Sequence, residues 1–127
     1  MSGKHLYEYS VIRVLPKVER EEFINIGIIL FCKKEKYLRV LYSINEERLA
    51  AFPNEVDIEF LEKNLQSFQK VCQGNKTADG IASYDTPERF RWLTAVRSTN
   101  LQTSRPHTGF SDDLDATLDS LFKELVL

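Results

Sequence analysis

Glycine is scarce in this chain and never clustered. Gly3, Gly27, Gly74, Gly80 and Gly109 stand singly, so no glycine-rich loop exists to cradle a nucleotide phosphate. Two cysteines and two histidines (Cys32, Cys72, His5 and His107) have no short pairing, which excludes the ligand spacing of a structural zinc site. Both cysteines fall at apolar-face positions. They read as small buried hydrophobes rather than nucleophiles, and their reduced state suits a cytoplasmic setting. Long hydrophobic runs are missing too: the longest, residues 23–32, ends at Glu22 and Lys33, well short of the ~20 residues of a membrane span. Met1-Ser2-Gly3-Lys4-His5 lacks the apolar core of a secretion signal. Nor is there an excess of positive charge, since the net charge is −2, a poor basis for phosphate recognition over a broad surface. No repeat, linker or low-complexity tract breaks the chain. What remains is 127 residues with 43% hydrophobic and 28% charged content, the composition of one soluble globular domain over 1–127.

Strand patterning dominates the first third. Tyr7 to Leu15 alternates, with Tyr9, Val11, Arg13 and Leu15 on one face and Ser10, Ile12 and Val14 on the other. Pro16 ends it. Phe23 to Cys32 is a second strand, whose even positions Ile24, Ile26, Ile28, Leu30 and Cys32 predict one uninterrupted apolar face. Its odd face is apolar at both ends, with Asn25 and the bare Gly27 between them. A glycine inside a strand admits the close approach of another backbone, a side chain or a ligand. Lys33–Lys36 predicts a turn into a third strand over Tyr37–Tyr42. The three strands form an antiparallel meander over about 7–42.

The part over about 45–126 is helical. Asn45 caps a short helix over 46–51, with Ile44 and Leu49 as a hydrophobic staple and Pro53 at its end. Asp57 caps a longer one, whose stripe Ile58, Leu61, Leu65, Phe68 and Cys72 runs to Gly74-Asn75. Asp85-Thr86-Pro87-Glu88 starts a third, burying Phe90, Leu93 and Val96. The last begins near Ser111-Asp112 and turns Leu114, Leu118, Leu121, Phe122 and Leu125 to one side. The expected fold is α+β: a small antiparallel sheet of three to four strands with helices packed mainly on one face. The stripes at 58–72 and 114–125 are expected to cover the Ile24–Leu30 face together.

Residues 101–109 lie between the last two helices, too polar for core. Their leading residues suit a fourth, edge strand, where Pro106 is tolerated. Arg105 and His107 lie two apart, so in an extended segment they share a side. One constellation emerges: Arg13, Asn25, Arg105 and His107 converging on Gly27. It suits a phosphate or carboxylate, with His107 available as an acid or base. The same residues equally form a self-satisfied polar network, with Arg105 paired to Asp112 or Asp113. Nucleic-acid binding is a separate reading, from Arg89, Arg91, Arg97 and Arg105 interleaved with Tyr84, Phe90 and Trp92. Against it stand the acidic net charge and the need for Phe90 in the core. No catalytic residue, metal or cofactor is indicated, and the leading reading is a module that offers an open face or edge strand to a protein partner.

Tyr9-Ser10-Val11-Ile12-Arg13, Phe23-Ile24-Asn25-Ile26-Gly27-Ile28-Ile29-Leu30, Arg105-Pro106-His107 before Asp113, and Leu121-Phe122-Lys123-Glu124-Leu125-Val126 stand in this order. With them the chain resembles the bacterial family called "domain of unknown function 3037" over nearly its whole length. The resemblance implies a small standalone cytoplasmic protein, often encoded beside a HipA-like kinase, and hence a partner or regulator of such a kinase. The family it resembles has no established activity, and an enzyme using the Arg13, Asn25, Arg105 and His107 cluster stands as an alternative.

Overall fold

The computed structural model describes residues 4–53, 56–95 and 100–127. Five strands and four helices follow the order β1 (His5–Val14), β2 (Ile24–Cys32), β3 (Tyr37–Tyr42), α1 (Glu46–Ala50), α2 (Ile58–Gln73), α3 (Thr86–Leu93), β4 (Leu101–Thr103), β5 (His107–Ser111) and α4 (Leu114–Leu125). The strands make one antiparallel sheet in the order β3-β2-β1-β4, with β5 also paired to β1. The fold is α+β, as the sequence pattern predicts. No helix among the described residues is long and apolar enough to cross a membrane. Val96 and Arg97, assigned to the third helix and to the basic segment respectively, lie outside the described residues, as do Met1, Ser2 and Gly3.

The helix starts follow local rules. Asn45, Asp57, Asp85 and Asp113 each accept a hydrogen bond from the backbone N–H three residues on, a device worth ~1 kcal/mol per helix. The last helix therefore begins two residues later than Ser111-Asp112 suggests. Ser111 is instead a buried bracket, bonded to the Asp113 backbone and to the Thr117 hydroxyl.

The expected uninterrupted face of β2 is split in two. Ile12 pairs with Gly27 and Arg13 with Asn25, so Ile26 is an extra residue with no partner on β1. This β-bulge shifts the alternation by one. Ile24 and Ile26 join Ile29, Phe31, Ile12 and Val14 under α1, α2 and α3. Ile28, Leu30 and Cys32 face the other way, under α4. The stripes at 58–72 and 114–125 thus lie on opposite sides of the sheet. The physical reason is that β2, apolar on both faces, needs cover on both. Three of the four helices still share one side.

Polar contacts tie α4 to its face at both ends. The Tyr37 hydroxyl donates to Asp115 (2.7 Å), which also lies 3.6 Å from Arg39. Burial first, and then this carboxylate, push the Tyr37 phenol well above its ordinary range. At the C-terminal end, Asn25 donates to the Leu125 carbonyl (3.1 Å) and Arg48 to that of Val126 (3.2 Å), where a helix lacks internal donors.

Candidate functional site: the β4–β5 edge of the sheet

Beyond β1, the chain from Leu101 to Ser111 forms one border of the sheet in two pieces. Ile12 pairs with Thr103, and Tyr9 with His107. Between them Ser10 and Val11 face three residues, Ser104, Arg105 and Pro106. Ser104 holds this second bulge: its N–H donates to Val11 O (2.8 Å), and its hydroxyl accepts from Val11 N–H (2.9 Å). Ser10 donates to Ser104 O (3.0 Å). The expected edge strand is present as β4. Residues 107–111 add a fifth strand beyond the three to four expected. A proline followed by short polar residues conceals strand character, because the ladder to β1 supplies what local propensity does not.

The five residues singled out from the sequence do not converge. Arg13 and Asn25 are cross-strand partners, and Gly27 sits beside them across the bulge. His107 is opposite Tyr9, four residues along β1 from Arg13, or ~13 Å of strand. Its ring lies against that of Tyr9, with centroids 5.2 Å apart. Arg105 is exposed at the bulge, where the two-residue alternation that would align it with His107 is interrupted. No ion pair to Arg105 occurs among the described residues, so the expected pairing with Asp112 or Asp113 within the chain is not made. The space at Gly27 is filled by backbone: an added Cβ would lie 2.8 Å from Leu41 O.

Asn25 is half-buried, and its bonded partner is Leu125 O rather than an arginine. Asn25→Ala is expected to cost ~1–2 kcal/mol and to speed amide exchange over residues 122–127. Unchanged exchange there would disprove this role.

Arg13 has its own surroundings. Its guanidinium lies 4.4 Å above the Phe23 ring, and its buried Nε has no hydrogen-bond partner among the described residues. With Leu15, Val18, Glu21, Phe23 and Gln102 it lines a depression of about 270 Å³. Two of the four arginines behind the nucleic-acid reading, and its Phe90, are committed elsewhere. Arg89 clamps the end of α2, Arg91 pairs with Glu88 (2.6 Å), and Phe90 is buried against Phe31. Cys32 and Cys72 are both buried and unpaired, and burial pushes the Cys72 thiol up to about 12, so it stays protonated at neutral pH.

The sequence pattern missed what surrounds β5. Leu6 and Phe110 are cross-strand partners and are 57% and 69% exposed. On the opposite face the Tyr7 ring lies across Gly109, so closely that an added Cβ there would collide with the phenol. Tyr7, Tyr9 and His107 thus form a row of aromatic rings on that side. Phe110 could have been found only by pairing it with Leu6, a residue far away in the chain. The edge offers main-chain groups between an apolar pair and this aromatic row.

One family model matches the chain, over residues 9–126, and its description is "Protein of unknown function (DUF3037)". No curated protein and no solved structure matches the chain.

Proposed function

Since this chain belongs to the DUF3037 family, a family without a described activity, we propose that it is a non-catalytic binding module that docks a protein partner along its β4–β5 edge. The observation that carries this reading is the exposed Leu6–Phe110 pair beside a strand edge that no described residue pairs. Added strands gain affinity from main-chain hydrogen bonds and specificity from flanking side chains, and this edge presents both. Arg105, without an ion pair among the described residues, supplies a charge for register. The partner proposed is a HipA-like kinase encoded nearby, in the bacterial cytoplasm, as the family resemblance implies. Mixing the purified proteins and running size-exclusion chromatography tests it. A complex is expected at ~10 µM, about −7 kcal/mol, and Phe110→Asp should abolish it. No complex at that concentration removes the reading.

A second reading is a small anionic ligand at Arg13, favoured by an Nε that has no hydrogen-bond partner among the described residues and lies in this depression. Calorimetric titration with inorganic phosphate and with acetate checks it. Heat that disappears in Arg13→Met supports it, and no heat with either anion refutes it.

A further inference from the structure

We infer that the β5 edge also pairs with a second copy of this chain, so that the free protein is a two-fold dimer whose sheets join through His107–Ser111. This rests on the reading of the edge as a docking surface and adds its regulation. Self-pairing and partner binding use the same strand and exclude one another.

The charge order of the segment is the first reason. Arg105 stands at one end, Asp112 and Asp113 at the other, and Pro106, His107, Thr108, Gly109, Phe110 and Ser111 between them carry no fixed charge. Antiparallel pairing with the same sequence reverses that order, so each end meets its opposite. Arg105 and Asp112 have no ion pair among the described residues. Asp113 uses one carboxylate oxygen for its cap, which leaves the other for a guanidinium.

Strand geometry then selects the register. Directly opposed residues point to the same face, so a two-fold axis perpendicular to the sheet passes through a residue, not between two. Centring on Gly109 sets His107 opposite Ser111 and Thr108 opposite Phe110, and brings Arg105, two residues before the strand, to the end where Asp112 and Asp113 of the second copy follow it. Centring on Thr108 shifts that end toward Ser111 and away from the two aspartates. Centring on Phe110 shifts it toward Asp115, which lies in α4 and is already held by Tyr37 and Arg39.

The same register covers what is exposed. The two Phe110 side chains become diagonal neighbours, ~7–8 Å apart along the joined ladder, and each brings its Leu6 partner. On the other face two bare Gly109 residues meet at the axis, leaving room for the Tyr7 rings that lie over them. The opposite border, β3, lacks this self-complementarity. Lys33, Lys34 and Lys36 precede it, and no acid follows before Glu46.

Sedimentation equilibrium and concentration-dependent hydrogen exchange on the full chain test the proposal. A monomer–dimer equilibrium is expected at ~10–100 µM, the range of a small interface, with amide protection over 107–111 rising with concentration. Phe110→Asp should weaken association ~10-fold or more, and its exposed position leaves folding intact by circular dichroism. Arg105→Glu should weaken it by at least ~3-fold, more at low salt than at high. A chain monomeric to ~500 µM, protection that rises along Tyr37–Tyr42 instead, or undiminished association of Phe110→Asp would overturn it. A monomer that still binds the kinase overturns the dimer alone. A dimer that binds no kinase overturns the partner reading alone.

Discussion

Arg89→Met is expected to lower the unfolding free energy by ~2–4 kcal/mol, measured as a fall in the urea midpoint at unchanged slope. The arginine reaches from the first turns of α3 to the last turn of α2. Its Nη1 donates to the carbonyls of Val71 and Cys72, both at 2.7 Å. Its Nε donates to Tyr84 O (3.0 Å), and its Nη2 to the Thr86 hydroxyl (3.2 Å). The closing carbonyls of a helix have no internal donors, and the helix dipole makes that end negative. One planar cation therefore answers both needs, and Gly74, at φ +72°, lies flat against it without a Cβ in the way. Methionine keeps much of the apolar stem and removes every donor, leaving part-buried carbonyls unpaired. Arg89→Lys should recover only part of the loss, because a single ammonium cannot span acceptors spread around a fork. A loss under ~0.5 kcal/mol for methionine would refute the clamp.

Gly27→Ala should cost ~2–3 kcal/mol, and Gly27→Val more, because the added atoms meet backbone rather than a movable side chain. A Cβ at Gly27 would stand 2.8 Å from Leu41 O, 3.0 Å from Tyr42 Cβ and 3.1 Å from Ile12 Cδ1. Relief requires β3 to move away from β2 just beyond the bulge, where Ser43 N–H donates to Ile26 O (2.8 Å). Faster exchange of the Ser43 amide should accompany the loss. Gly109→Ala is the control. There the obstruction is the hydroxyl end of Tyr7, which can swing aside, so the expected cost is under ~1 kcal/mol. Equal costs at the two glycines would show that the loss reflects glycine replacement in general and not this contact.

Much of the fold follows from short-range chemistry. The alternation of Tyr7–Leu15, the turn at Lys33–Lys36 and the caps at Asn45, Asp57 and Asp85 are each decided within about four residues, by side chains next to the backbone they serve. Their places in the chain therefore agree with the structure. Asn25 and Gly27 are departures from a plain core strand, and both have a structural cause: one ends α4, the other admits Leu41. The identity of those contacts was not legible, because each lies on another element.

The sequence by itself established the first three strands, the four helices and an edge strand at β4, though not β5, and that Asn25 and Gly27 need a special environment. Tertiary structure alone decided how β2 divides its side chains between two layers. That division depends on one extra residue, Ile26, in a ladder formed with a distant strand, and a shift of one residue exchanges every face beyond it. It also decided that Arg13 and His107 stand apart while Leu6 and Phe110 meet. Two residues come together in a sheet by register, a property of the pair of strands that neither strand carries alone.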